Sequence, residues 1–157
     1  MPRLTALAAL LMLLAPAVWA EDAPVLAEYR ADSGSLPPEY AWEASVIIHE
    51  DGILFLKRCT GYETEGPACK TRRAKVGEAE LEAIRAAAVA STLREDPAHP
   101  PEDLAVGGGA VYGAVWLEGT RIDLPSQVRE QDAGRVASVL SAIRAAIPAR
   151  LHRFLTD

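Results

Sequence analysis

Along the middle of the chain, polar and apolar positions alternate. Trp42, Ala44, Val46 and Ile48 fall on one side of an extended chain, and Glu43, Ser45, Ile47 and His49 fall on the other. That is the period of a half-buried strand, with β-branched residues at its centre. Glu50-Asp51-Gly52 follows as a turn signal and reads as a type I′ hairpin, because Asp-Gly tolerates the positive φ that this turn requires. Residues 53–58 return as a second strand, with Leu54 and Leu56 on one face and Phe55 on the other. Residues 71–76 predict a third.

The period changes after Val76. Glu78 and Glu80 favour the first turn of a helix, Ala-rich sequence runs to about Leu93, and Leu81, Ile84 and Ala88 make its apolar stripe. Asp96-Pro97 and His99-Pro100-Pro101 stop it. Beyond Gly107-Gly108-Gly109, Ala110–Leu117 and Thr120–Leu124 read as a second hairpin around Glu118-Gly119. Asp132 is read as the N-cap of a second helix in which Val136, Leu140, Ile143 and Ile147 recur, and Pro148 ends it. Leu151, Phe154 and Leu155 predict a tail that packs down. Residues 21–41, broken by Pro24, Ser33-Gly34-Ser35 and Pro37-Pro38, sustain no period. They are expected as an extended lead-in to a single domain over 42–157, part of it packing as an edge because Tyr29 and Tyr40 are poor residues to leave wet. The economical fold is α+β, an antiparallel sheet of four or five strands, built from two hairpins, with two helices packed on one face.

The first 20 residues follow a different grammar. Arg3 precedes an uncharged apolar run over 4–14, Pro16 breaks it, and Val18 and Ala20 stand at the −3 and −1 positions of a cleavage site. This predicts a secretory signal peptide cleaved near Ala20. The apolar run is short of the roughly 20 residues that a spanning helix needs. No second apolar stretch follows, so the mature chain is expected to lack a transmembrane segment and to be periplasmic or secreted.

Export changes how charge and cysteine are read. The chain carries 16 Lys and Arg against 22 Asp and Glu, a formal net charge of −6, and loses Arg3 with the leader. An acidic protein repels phosphate backbones, so nucleic acid is not an expected partner. Cys59 and Cys69 are the two cysteines, and in an oxidising compartment they are expected to form a disulfide at the mouth of the loop between the second and third strands.

That loop is the most suggestive feature. A disulfide at its base holds Tyr62, Glu63 and Glu65 on a short excursion, with Arg72 as a flank. Constraint of this kind lowers the ordering cost of recognition, as inhibitor loops exploit. The same clip also serves a small exported domain as stabilisation alone, and the sequence leaves both readings open. Beside it, strand alternation sends Lys70 and Arg72 to one face and Arg73 and Lys75 to the other. Such a strip reads as a charged edge guarding the sheet against self-pairing, or as a docking patch for an acidic partner.

Other patterns point away from chemistry. Gly107-Gly108-Gly109 precedes a strand, whereas a phosphate loop needs its glycines before a helix N-terminus. His49, His99 and His152 lack the paired spacing of zinc ligands and read as solvated loop histidines. No Gly-x-Ser-x-Gly elbow occurs. The carboxylate pairs Glu63 with Glu65 and Glu102 with Asp103 lie on short polar segments, with no apolar pocket to raise a pKa. No catalytic residue, metal or cofactor is expected. The reading that follows is an exported non-enzymatic binding module, an inhibitor or accessory protein whose partner is another exported protein. The alternatives are a small hydrolase with a dispersed carboxylate and histidine site, or an envelope structural or assembly component.

Overall fold

The structure is a computed structural model and describes residues 23–61 and 68–156. Six strands form one antiparallel sheet: β1 (Val25–Asp32), β2 (Trp42–His49), β3 (Ile53–Thr60), β4 (Ala68–Lys75), β5 (Ala110–Leu117) and β6 (Thr120–Leu124). Their order across the sheet is β4-β3-β2-β1-β5-β6. Among the described residues, two helices, α1 (Glu78–Ala90) and α2 (Glu130–Ala146), and a short 3-10 helix (Ala149–Phe154) accompany the sheet. The leader over 1–20 lies outside the described residues.

The class is the expected α+β one, but the sheet has six strands rather than four or five. The extra strand is β1, from the segment expected as a lead-in with an edge role. It lies inside the sheet, hydrogen-bonded to β2 on one side and β5 on the other. Ala27, Tyr29 and Ala31 alternate with Glu28, Arg30 and Asp32, so a strand period is present. Two of the three inward positions are alanine, which lowers the apolar contrast that marks a strand. A register shift between Val25 and Ala27 also buries Leu26 and Ala27 side by side and blurs the alternation.

The hairpins show how sequence sets the turns. At 50–52 the amide of Gly52 donates to His49 O, 2.9 Å, and Gly52 has φ +81°, while Asp51 does not enter positive φ. This is a three-residue loop, a type I turn followed by a left-handed glycine, and not the expected type I′ turn. The second hairpin does use two left-handed residues, Glu118 and Gly119 at φ +50° and +77°, between the paired Leu117 and Thr120.

The two faces of the sheet differ in chemistry. On one, Tyr29, Val46, Ile48, Leu54, Leu56 and Val115 are buried against Leu81, Ile84 and Ala88 of α1 and Val136, Val139 and Ile143 of α2. Both helices therefore share one face. The α1 stripe is the one expected. The α2 stripe is turned slightly, with Val139 buried and Leu140 only partly so. The other face carries exposed Arg30, Lys57, Arg121 and Asp123, together with Phe55, which is 44% exposed. Leu151 and Leu155 are buried, so the tail packs down as predicted.

Asp132 has a different task from the one expected. The N-cap of α2 is Arg129, and Asp132 sits within the first turn, 1% exposed. It accepts the His99 amide at 3.0 Å and pairs closely with Arg135, which itself donates to Asp96 O at 2.9 Å. The cluster ties the 96–99 segment to the start of α2. The His99 amide first, and the Arg135 guanidinium after it, hold the Asp132 carboxyl below its ordinary pKa. A depressed folded-state pKa stabilises above the unfolded value, and that contribution is lost as pH falls through the folded value. Asp132→Asn should therefore lower Tm at neutral pH. The gap from wild type should close as pH is taken below about 4, the unfolded carboxylate range. Thermal melts of both proteins from neutral to acid pH check this; a gap that does not depend on pH would show that the charge is irrelevant.

Candidate functional site

Strands β3 and β4 run antiparallel in full register from Ile53 opposite Lys75 to Thr60 opposite Ala68. Within that ladder Cys59 faces Cys69, and a disulfide joins them across a Cα–Cα distance of 4.0 Å and a sequence separation of 10. The predicted pairing is thus present, and it clips the hairpin at the mouth of its loop. A closed loop of this length is worth about 2.5 kcal/mol, chiefly through the unfolded chain. A Cys59→Ala, Cys69→Ala double variant should lose about that much in urea unfolding, and the reduced wild-type protein should lose about the same. A loss well below 1 kcal/mol in both would mean that the bond constrains nothing.

The two strands hold Lys57, Arg58, Lys70, Arg72, Arg73 and Lys75, and no Asp or Glu. This is a concentration of positive charge in a chain whose formal net charge is −6. None of the six makes an ion pair with a described residue; the ion pairs lie elsewhere, at Arg30, Arg85, Arg94, Arg121, Arg135 and His99. Alternation divides the cations between the faces. Arg58, Lys70 and Arg72 lie on the helix side, and Lys57, Arg73 and Lys75 on the open side.

On the helix side the cations are organised by aromatic rings and by the tail. Arg58 lies over the Trp42 ring at 4.4 Å, and its Nη1 donates to Phe154 O at 3.0 Å and Thr156 O at 2.6 Å. Arg72 and Arg153 stack on Phe154 at 5.3 and 5.0 Å. Between the strands and the 3-10 helix lies a groove of about 340 Å³ lined by Arg58, Thr60, Lys70, Arg153 and Phe154. Across Arg58, a wider groove of about 490 Å³ is lined by Leu36, Tyr40, Trp42 and Thr60. The Trp42 Nε1 is buried there without a hydrogen-bond partner among the described residues.

On the open side, Arg73 lies 5.7 Å from the Phe55 ring, which also meets His49 edge-on at 5.7 Å. Towards the sheet centre, Arg30, Glu43, Ser45, Lys57 and Tyr112 line a shallow depression of about 280 Å³. Arg30 is bound to Glu28 at 2.6 Å, and that hydrogen bond raises its pKa further above the usual arginine value. Here the only free cation lining the depression is Lys57, among the described residues.

Of the residues singled out in the sequence, Arg72 is exposed on β4 and donates to Thr71 O at 2.7 Å. Tyr62, Glu63 and Glu65 lie outside the described residues. The histidines are more engaged than solvated loops imply. His49 Nδ1 pairs with Ala23 O at 2.5 Å and His152 Nε2 with Ile147 O at 2.8 Å, while His99 is held through its own amide. Glu102 and Asp103 are exposed in the segment before β5. Among the described residues, no group of three His, Cys, Asp or Glu is placed to hold a metal ion, and no helix is long and apolar enough to cross a membrane.

Sequence reasoning found the basic run of β4 but missed Lys57, Arg58, Arg153 and Phe154 as its company. Counting charge by hairpin rather than by contiguous run would have found the first two. No protein-family model matches this chain, and no curated protein matches it.

Proposed function

We propose that the chain is an exported, non-enzymatic binding module that acts on another exported protein as an inhibitor or accessory subunit. The observation that supports it is the segregation of charge, with six cations on one disulfide-clipped hairpin, none paired to a described carboxylate, within an acidic protein. Cations left unpaired at a surface steer and select a partner of opposite charge. The disulfide is compatible with an oxidising compartment. The leader grammar, with cleavage near Ala20, assigns that compartment as the periplasm or the exterior. Tyr62, Glu63 and Glu65, which lie between β3 and β4 in the sequence, are the proposed contact residues, with Arg72 as a flank.

The test is affinity capture with the mature chain, residues 21–157, from periplasmic or culture extract, with hydrolase activities of the extract assayed beside it. A specific exported partner, recovered with the wild type and lost with a Tyr62→Ala, Glu65→Ala double variant of unchanged Tm, is the expected result. Recovery of no specific partner, with hydrolase activities unaltered, would overturn the reading.

A further inference from the structure

We infer that the free edge of β4 accepts an extended acidic segment of the partner as an added strand. This rests on the binding-module reading above and names the chemistry of the partner.

The geometry of the edge comes first. The Cα–Cα distance of 4.0 Å at Cys59 and Cys69 marks a narrow pair, one that does not exchange main-chain hydrogen bonds. Alternation along the register makes Lys57 with Thr71, Phe55 with Arg73 and Ile53 with Lys75 narrow pairs as well. The hydrogen bond from Val76 N to Gly52 O, 2.8 Å, falls on the opposite parity, as it must. The N–H and C=O groups of Cys69, Thr71, Arg73 and Lys75 therefore point away from β3. Among the described residues β4 ends the sheet and these four residues are exposed, so no described strand covers that edge. Among the described residues, the one hydrogen bond to these groups is the local one from Arg72 Nη1 to Thr71 O.

Charge then selects the occupant. A second copy of this chain would set four cations of one β4 against four of another, and like charges across a strand pair repel. An acidic segment meets the reverse situation. Its side chains would alternate between the faces, finding Lys70, Arg72 and Arg153 on one and Arg73, Lys75 and Lys57 on the other. Both faces are basic, so consecutive acidic residues fit, not only alternate ones. Counted along the sequence from Ile53 to Lys75, six cations stand against two carboxylates, Glu63 and Glu65, an excess of four positive charges. The edge is also pre-formed, held to β3 along eight register pairs and clipped by the disulfide, so little ordering remains to be done on this side. Main-chain hydrogen bonds would supply affinity and the flanking cations specificity, the division of labour in strand addition.

The experiment titrates disulfide-intact, isotope-labelled mature protein with a capped peptide of glutamate and valine, as long as the 8-residue β4. Two control peptides accompany it: one of the same charge with alternate amides N-methylated, and one with glutamine for glutamate. The expected result is binding that weakens with salt and slows hydrogen exchange at Thr71, Arg73 and Lys75. It should be lost with both control peptides, and an Arg72→Glu, Arg73→Glu double variant of unchanged Tm should bind about tenfold more weakly or worse. Absence of binding at low salt, binding that leaves those amides unprotected, or equal binding of the N-methylated peptide would each overturn the inference. If the peptide fails while the double variant still captures a partner from extract, the edge is wrong and the binding-module reading stands. If the peptide protects the β4 amides but no extract partner exists, the edge stands and that reading falls.

Discussion

Gly113→Ala is expected to open the sheet at its middle and cost about 4 kcal/mol or more, the exceptional end for a single substitution. A Cβ on Gly113 would lie 2.1 Å from Glu28 O, 3.1 Å from Glu28 C and 3.4 Å from Tyr29 Cα. All three are main-chain atoms of β1, so no side chain can rotate away and the strands themselves must part. Gly113 pairs with Tyr29 on one side and Leu124 on the other, at the joint between the four strands β4-β3-β2-β1 and the pair β5-β6. Parting it breaks a ladder in the centre of the core, where ordinary overpacking already costs about 1–3 kcal/mol. Against a total stability of about 5–15 kcal/mol, such a loss should appear as poor soluble yield or a large fall in the urea midpoint. Gly134→Ala is the matched control. It lies inside α2 with nothing within 4 Å of its would-be Cβ, and should stabilise by about 0.5–1 kcal/mol. A Gly113→Ala protein with a near wild-type midpoint would show that β1 and β5 are not in this register.

These two glycines also show where local sequence stops being informative. Gly134 declares itself, because a glycine amid Ala, Val and Arg at helical spacing is a local anomaly with a local cost. Gly113 stands in a strand pattern that reads the same whether or not another backbone crosses it, and only the pairing with β1 gives it meaning. The same division runs through the fold. β2 was legible to the residue, because Trp42, Ala44, Val46 and Ile48 alternate with a face that is polar at Glu43, Ser45 and His49, and so was the Leu81, Ile84, Ala88 stripe of α1. β1 was not, since small alanines occupy two of its three inward positions and the register shift near Val25 blurs the rest. In the candidate site, Lys70 to Lys75 announce themselves as a run. The seat of Arg58 on the carbonyl of Phe154 spans 96 residues, beyond any periodicity. Asp132 has the residue type of a cap, yet it sits within the first turn of α2 and its buried carboxylate serves His99, 33 residues away. Local chemistry nominates such residues, and long-range pairing decides what they do.

Tyr29→Ala is the second large effect expected, about 3–5 kcal/mol, the range for truncating a buried aromatic. Tyr29 is 2% exposed and leads the fully buried side chains by volume. It projects to the helix side from β1, between Val46 of β2 and the side-chain-free Gly113 of β5. The ring is thus the bulk at a position where the neighbouring strand contributes none, and little is available to collapse into the space it leaves. The hydroxyl is a separate matter, because it makes no hydrogen bond with a described residue. Tyr29→Phe should therefore change stability by less than about 1 kcal/mol, while Tyr29→Ala loses the whole ring. The two predictions are linked. The atom that bars a Cβ at position 113 is the Glu28 carbonyl and not the Tyr29 ring, so Tyr29→Ala should not rescue Gly113→Ala. Urea unfolding of the four proteins checks this. If Tyr29→Phe costs as much as Tyr29→Ala, the hydroxyl rather than the ring holds the sheet centre. If the double variant is more stable than Gly113→Ala, the obstruction lies in the side chain rather than in the backbone of β1.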